Sequence, residues 1–411
     1  MNRFLQIHFL TSYPSALLNR DDAGFAKRIP FGGVTRTRIS SQCLKRHWRL
    51  FSGENSLNEI DVAKAVRSRK SFEKFVAQPL REKGFNVESV NFAVQYVMGV
   101  LLGESKSRKK SKTEDSKAIN LESSQITVLG HNELDYIKKS IEQIITENEN
   151  TDDLKKLEGY LDKTFKEKDF KRNFQAIKNG AGLDAAMFGR MVTSDILARV
   201  DAAVHVSHAF TVHGEATEAD YFTACDDLLD SGDESELGAG HINSMELTTG
   251  LFYGYVVVDV PLLVSNLEGS SVEEYPTADK TLASEIIERL IKIIATVSPG
   301  AKVGSTAPYS YASMILVESG NSQPRTLANA FLKPVPFNTS LLNSAYGAVS
   351  GYLNDFRSMY PNYKAASKIA CMNYTDKLLS ALGQEHPISL VELAQWASDQ
   401  IKGNHHGYST Y

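Results

Sequence analysis

The apolar pattern of this 411-residue chain changes period twice, and that interruption limits the folds open to it more than any other feature. Phe4 to Leu10 alternates imperfectly and is rich in Ile, Leu and Phe, which predicts a mostly buried strand. Loop chemistry follows at Pro14, Gly24, Pro30, Gly32 and Gly33. A short β-branched piece at 36–39 leads into Ser40 and Ser41, which offer an N-cap for a helix over about 42–51. From about Ile60 to Gly180 the spacing turns helical, as in Val62, Ala65 and Val66, or Leu134, Ile137, Ile141 and Ile144. Strand character is expected again at 186–193 and, most clearly, at 251–260. An amphipathic helix over 281–295 stops at Pro299-Gly300, a strand is expected at 313–318, and helices at 341–359 and 389–402.

With the insertions removed, the order is strand, helix, strand, strand, helix, strand. That is the split βαβ, ferredoxin-like order of RNA-recognition modules, so the expected class is α+β. A sheet of that kind, covered by helices on one face, would leave the other face free for a single strand of RNA. The long polar segment from His205 to Thr249 holds an acidic run, Asp226–Glu236, and loops of such length are usually functional or disordered. Glu104–Lys117 is a Lys/Ser/Glu-rich run without apolar anchors, expected as a loop.

Charge is distributed unevenly. The formal net charge is −4, with 42% hydrophobic and 23% charged residues, the mix of an ordinary globular protein. Residues 1–50 nevertheless carry nine basic side chains against two acids, a local excess of seven, so the remainder carries −11. A polyanionic partner is therefore to be sought at the N-terminal end. Cys43, Cys225 and Cys371 are far apart and form no CxxC pair, which argues against a disulfide framework or a cysteine zinc site and fits a reducing cytoplasm. Gln6 and His8 interrupt the apolar start, and Asp259 and Pro261 break the apolar stretch at 251–264, so neither an export signal nor a membrane span is expected.

The densest chemistry lies in Asn19-Arg20-Asp21-Asp22, then Phe31-Gly32-Gly33, then Arg36 to Arg46. A helix start suits an anionic oxygen. Ser40, Ser41 and Gln42 can add hydrogen bonds there, and Lys45 and Arg49 share a helix face with Arg46 beside them. Gly32 and Gly33 let a backbone approach a ligand closely. On spacing alone, a solvated basic surface helix fits equally well.

The ordered words NRDD, FGG and R-x-R-I-S-S-Q-x-L-K-R resemble the N-terminal signature of the CasC-type backbone subunit of type I-E Cascade, a CRISPR complex. Further matches follow in order: Gly189-Arg190-Met191, Val200-Asp201, His205, His208-Ala209, Phe222-Thr223-Ala224, Phe252-Tyr253 and Pro299 to Lys302. The resemblance implies a hand-like fold: an RRM-like palm (1–58, 181–204 and 247–411 with C-terminal helices), helical fingers (59–180) and an extended hairpin-like thumb (205–246). It implies copies stacked along one CRISPR guide RNA, with target DNA and other Cascade subunits as further partners. Carried over, Arg20, Lys27, Ser40, Gln42, Lys45, Arg46, Arg49 and Lys302 would contact the guide backbone, and Met191 and Phe222 would pack against bases at a kink. Spacing alone reads Met191 as core. Lys155 and Lys156, after Asp152-Asp153, resemble a pair that steers target DNA, and a solvated helix face fits them as well. Two departures stand out: the acidic stretch from Leu229 to Glu246 and the basic Lys106–Lys112 loop.

Enzyme motifs are weak. His205, His208 and His213 lack Cys or acidic partners at metal-ligand spacing, and Gly300 to Thr306 resembles a P-loop but places its Lys before the second Gly. Cys43, in a basic helix, could have a lowered pKa, without a partner to make it catalytic. The chain is expected to be a binding protein with no cofactor, metal or catalytic residue. The alternatives are metal-dependent RNA cleavage at Asp21/Asp22, as in type III backbone subunits, and a free-standing RNA chaperone on the same sheet.

Overall fold

A strand that alternates between two buried faces sits at the centre of the sheet. In β1 (Phe4–Ala16), Leu5, Ile7 and Phe9 face one side and Gln6, His8 and Leu10 the other, and all six are buried. The structure, a computed structural model, describes residues 2–103, 121–149, 151–175, 177, 181–190, 200–224 and 241–403. The further strands in chain order are β2 (Arg28–Phe31), β3 (Val34–Ile39), β4 (Ala65–Ser68), β5 (Thr127–Gly130), β6 (Val204–Val206) and β7 (Ala209–Thr211). They are followed by β8 (Thr217–Ala224), β9 (His241–Asp259), β10 (Met314–Gly320) and β11 (Ala366–Cys371). The main sheet runs β11-β10-β1-β9-β7-β3-β2, with β8 pairing on β9.

The ferredoxin-like order is present within it. β1, helix α1 (Ser41–Leu50), β7, β9, the helix Thr281–Thr296 and β10 give βαββαβ, and the sheet order β10-β1-β9-β7 is that of the split βαβ fold. The fold is α+β, with β10 antiparallel to β1 and β7 antiparallel to β9. β8 and β9 form a hairpin-like arm in register from Thr217↔Thr248 to Ala224↔His241.

Two expectations are corrected here. Of the strand expected at 186–193, residues 186–188 instead end a helix, Gly182–Phe188, which buries Leu183, Ala185, Ala186 and Met187 and stops at Gly189 with φ +79°, while residues 191–193 lie outside the described residues. Ala, Leu and Met favour helix, and the second strand of the order is instead the three-residue β7. Nor is a sheet face left open. Leu10, Tyr253, Met314 and Leu316 pack with Ala345, Tyr346, Val349 and Leu353 of the helix Leu341–Met359 and with Leu378 and Leu379 of Asp376–Leu382. On the opposite side Phe9 meets Trp48 of α1 edge-on at 6.4 Å. The open sheet face expected from the order of elements is therefore covered among the described residues.

Under the C-terminal helices lies a buried polar chain. Leu327 N–H donates to the Tyr253 hydroxyl, which donates to His8 Nδ1 at 2.9 Å, and His8 Nε2–H donates to Glu318, itself paired with Arg325 at 2.9 Å. Burial holds His8 below its usual pKa, so it is the neutral link. Burial alone would push the Glu318 carboxyl up, but His8 and Arg325 together hold it below the carboxylate range. Since His8 is neutral, Arg325 supplies the charge.

The chain divides into two compact units: 1–59, 205–258 and 284–411; and 60–204 with 259–283. In the second, the helices Val87–Leu102, His131–Glu147 and Leu154–Phe165 bring Val90, Val94, Val97, Leu134, Ile137, Ile141, Leu157 and Leu161 into one core. Residues 181–204 belong to this unit: Leu183 N–H reaches Ala63 O, and the Asn266 amide bridges Ala186 O and Asp201 O.

Candidate nucleic-acid interface

Helix α1 owes its position to an apolar stripe and a cap. Leu44 and Trp48 are buried with Ser41, and the Ser40 hydroxyl accepts the Cys43 N–H at 3.3 Å. Gln42 and Arg46 are exposed, and Lys45 and Arg49 are partly exposed. Most of the backbone donors at the helix start are taken within the protein. Asn19 Oδ1 accepts Ser40 N–H at 2.9 Å, His208 Nδ1 accepts Ser41 N–H at 3.0 Å, and Ser40 O accepts Leu44 N–H at 3.1 Å. Ser40 is buried and engaged as the cap.

The preceding loop is built onto the same helix. Arg20 and Ala26 form an isolated bridge, Lys27 N–H donates to Asn19 O, and Arg38 N–H donates to Lys27 O at 2.7 Å. Asp21 closes the turn by accepting Phe25 N–H at 2.9 Å. Arg20 and Asp22 are exposed and Lys27 is partly so. Glu246 accepts from Arg28 and from Ala26 N–H, and Glu215 also accepts from Arg28. The end of the acidic stretch is thus neutralised within the protein; its residues 229–240 lie outside the described residues, as does the Lys106–Lys112 loop.

Side-chain electrostatics show how closely the cations gather. Burial lowers the His208 pKa, and Arg38, Lys27 and Lys45 lower it further. Burial pushes the Cys43 thiol up to about 11, against the opposing pull of Lys27 and Arg46. The shift is upward, contrary to the lowered pKa its basic helix suggested. Arg36, in contrast, is fully buried and donates to the carbonyls of Phe31, Thr211 and Phe331. Gly32, expected to let a backbone approach a ligand closely, has φ +65° and abuts the Leu332 carbonyl, so the close approach there is to the protein's own backbone.

A second loop joins this surface. His47 Nδ1–H donates to Cys43 O, and His47 Nε2 accepts Gly300 N–H at 3.3 Å; Ala301 N–H donates to Leu17 O at 2.9 Å. Lys302 follows, its Nζ 5.6 Å from the ring centre of Phe222 on the β8/β9 arm. Two residues from distant parts of the sequence thus form a cation–π pair beside α1. Arg38 and His208 belong to the surface although neither was a candidate: Arg38, two residues beyond the buried Arg36 on β3, is half-buried and brings its guanidinium to 3.4 Å from His208 Nδ1. Met191 lies outside the described residues. Lys155 and Lys156 are on the other unit, exposed in the first turn of Leu154–Phe165, where positive charge opposes the helix dipole and Asp153 provides the cap. His213 is structural: it donates to Gly214 O and accepts Leu251 N–H. No group of three or more His, Cys, Asp or Glu is arranged for a metal among the described residues, and no helix among them is long and apolar enough to cross a membrane.

These features define an α+β protein with a ferredoxin-like palm, an arm, and a cationic loop-and-helix surface. Residues 5–396 match the family model described as CT1975-like protein, and the chain belongs to that family. A chain of the solved "CRISPR RNA-guided surveillance complex, pre-nicking" is similar at a TM-score of 0.74 and 25% identity, over 97% of this chain and 100% of that one. A chain of a "CRISPR RNA-guided surveillance complex" shares the fold at a TM-score of 0.66 and 22% identity, over 96% and 99%. No curated protein matches the chain significantly.

Proposed function

We propose that this chain is the repeating backbone subunit of a CRISPR RNA-guided surveillance complex of the type I-E Cascade kind. Several copies would grip the sugar-phosphate of one CRISPR RNA, beside other Cascade subunits in the cytoplasm, and leave its bases to pair with target DNA. The observation that carries this reading is the gathering of basic residues at the start of α1: Arg38 reaches His208, which binds Ser41 N–H, Arg38 N–H binds Lys27 O, and His47 holds the Lys302 loop to the same helix. Such a surface binds phosphate without reading sequence, and base pairing supplies the specificity. Family membership and the titles of both similar structures point the same way.

The reading includes no catalysis. The Asp21 carboxylate is engaged with Phe25 N–H, which fits a loop-shaping role rather than metal ligation. Incubating the RNA-loaded protein with complementary RNA and a divalent metal tests this: site-specific cuts abolished in Asp22→Ala would establish the nuclease alternative. Sizing the protein on RNAs of graded length tests the assembly. Backbone copies add stepwise as the RNA lengthens, whereas a chaperone remains one chain per RNA.

A further inference from the structure

Between the Gly300 loop and β10, two tyrosine rings stand in solvent: Tyr309 is 76% exposed and Tyr311 66%. Single exposed aromatics are ordinary. These two lie on a backbone fixed from both sides. The Ser298 hydroxyl donates to Ser310 O and accepts Ser310 N–H, both at 3.0 Å, while Tyr309 N–H donates to Ala307 O and Ala312 N–H to Ala295 O, both at 2.7 Å. Exposure alternates across Tyr309, Ser310 and Tyr311, as it does where a locally extended backbone turns two rings to one side. Rings on an anchored backbone lose little conformational entropy when something stacks on them.

The loop that leads into them carries a cation and is tied to α1. The segment folds directly onto Gly300, where an added Cβ would come within 2.9 Å of the Pro308 ring, and Gly300 is the residue bound to His47 of α1. The same loop presents Lys302 over Phe222. Flat, fixed aromatic faces beside a track of cations are the recurring means of holding single-stranded nucleic acid without sequence preference, because every base has a π-face. Tyrosines also serve protein interfaces, and it is the cation in the same loop that favours nucleic acid here.

We propose that Tyr309 and Tyr311 form a stacking platform for an unpaired base of the strand whose phosphates α1 and Lys302 hold. This rests on the RNA-binding reading and extends it to a second point of contact, made to a base. The full-length chain is titrated with an adenine oligonucleotide and with an abasic ribose-phosphate oligomer of equal length and charge. Wild type is expected to prefer the base-bearing strand. Tyr309→Ala/Tyr311→Ala loses about tenfold of that preference while binding the abasic oligomer as wild type does, and Tyr309→Phe/Tyr311→Phe keeps it. An alanine pair that retains the full preference, or weakens both oligomers equally, overturns the platform, as does a wild type that binds both strands alike. A wild type that binds neither overturns the RNA-binding reading with it.

Discussion

The Ser41 N–H at the start of α1 is bound by the Nδ1 of His208, 167 residues further along the chain, at 3.0 Å. That bond requires an unprotonated Nδ1, and burial together with Arg38, Lys27 and Lys45 keeps the ring neutral. The cap of the cationic helix is therefore acid-sensitive.

His8, His208 and His213 all have native pKa values below the ordinary 6.5, chiefly through burial. The unfolded chain takes up protons first as pH falls, so their stabilising contribution is complete above about 6.5 and is lost as pH drops from there toward the native values. The melting temperature of the RNA-free protein should fall between pH 7 and pH 5, and His208→Ala should make that fall shallower. A melting temperature flat over this range would contradict the neutral-ring assignment.

Gly32 and Gly33 both have positive φ, at +65° and +80°, but only Gly32 is walled in, by the Leu332 backbone. Gly33→Ala should cost about 1–2 kcal/mol from backbone conformation alone. Gly32→Ala must also displace the 332 segment, near the Phe331 carbonyl that receives Arg36. Urea unfolding should show it to be the more damaging of the two.

Arg325 stacks on Phe356 and Tyr363 and neutralises the buried Glu318 carboxylate. Arg325→Ala strands that charge and should cost about 3–5 kcal/mol. Arg28→Ala, whose partners Glu215 and Glu246 are nearer solvent, should cost about 1 kcal/mol or less. Equal losses in denaturant titrations would mean that the Glu318 site is hydrated.

Lys155→Gln/Lys156→Gln should leave guide binding unchanged and weaken capture of complementary DNA by the RNA-loaded assembly. Loss of guide binding in filter assays would place the pair on the RNA instead.

The elements most legible in the sequence were those whose own period declares them. β1, β9, β10 and the helices near 281–296, 341–359 and 390–402 follow from apolar spacing, and α1 from its Ser40 cap. β7 was not legible, because three residues carry no period and its identity comes from pairing with β3 and β9. The helix at 341–359 was visible, but that it covers a sheet face was not, since the choice of face is made by tertiary packing. At the interface, the cations were marked by local charge density. His208, Tyr309 and Tyr311 were not, because they join the surface only through loops that long-range hydrogen bonds bring to α1.

The salt dependence of RNA affinity in Lys45→Gln/Arg49→Gln tests the account most directly. Neutralising two phosphate contacts should reduce the slope of log affinity against log salt by about 1.4, at roughly 0.7 per contact for a single strand. The loss should be alike for RNAs of unrelated sequence. An unchanged slope, or a loss confined to particular sequences, would contradict a helix that holds the sugar-phosphate backbone.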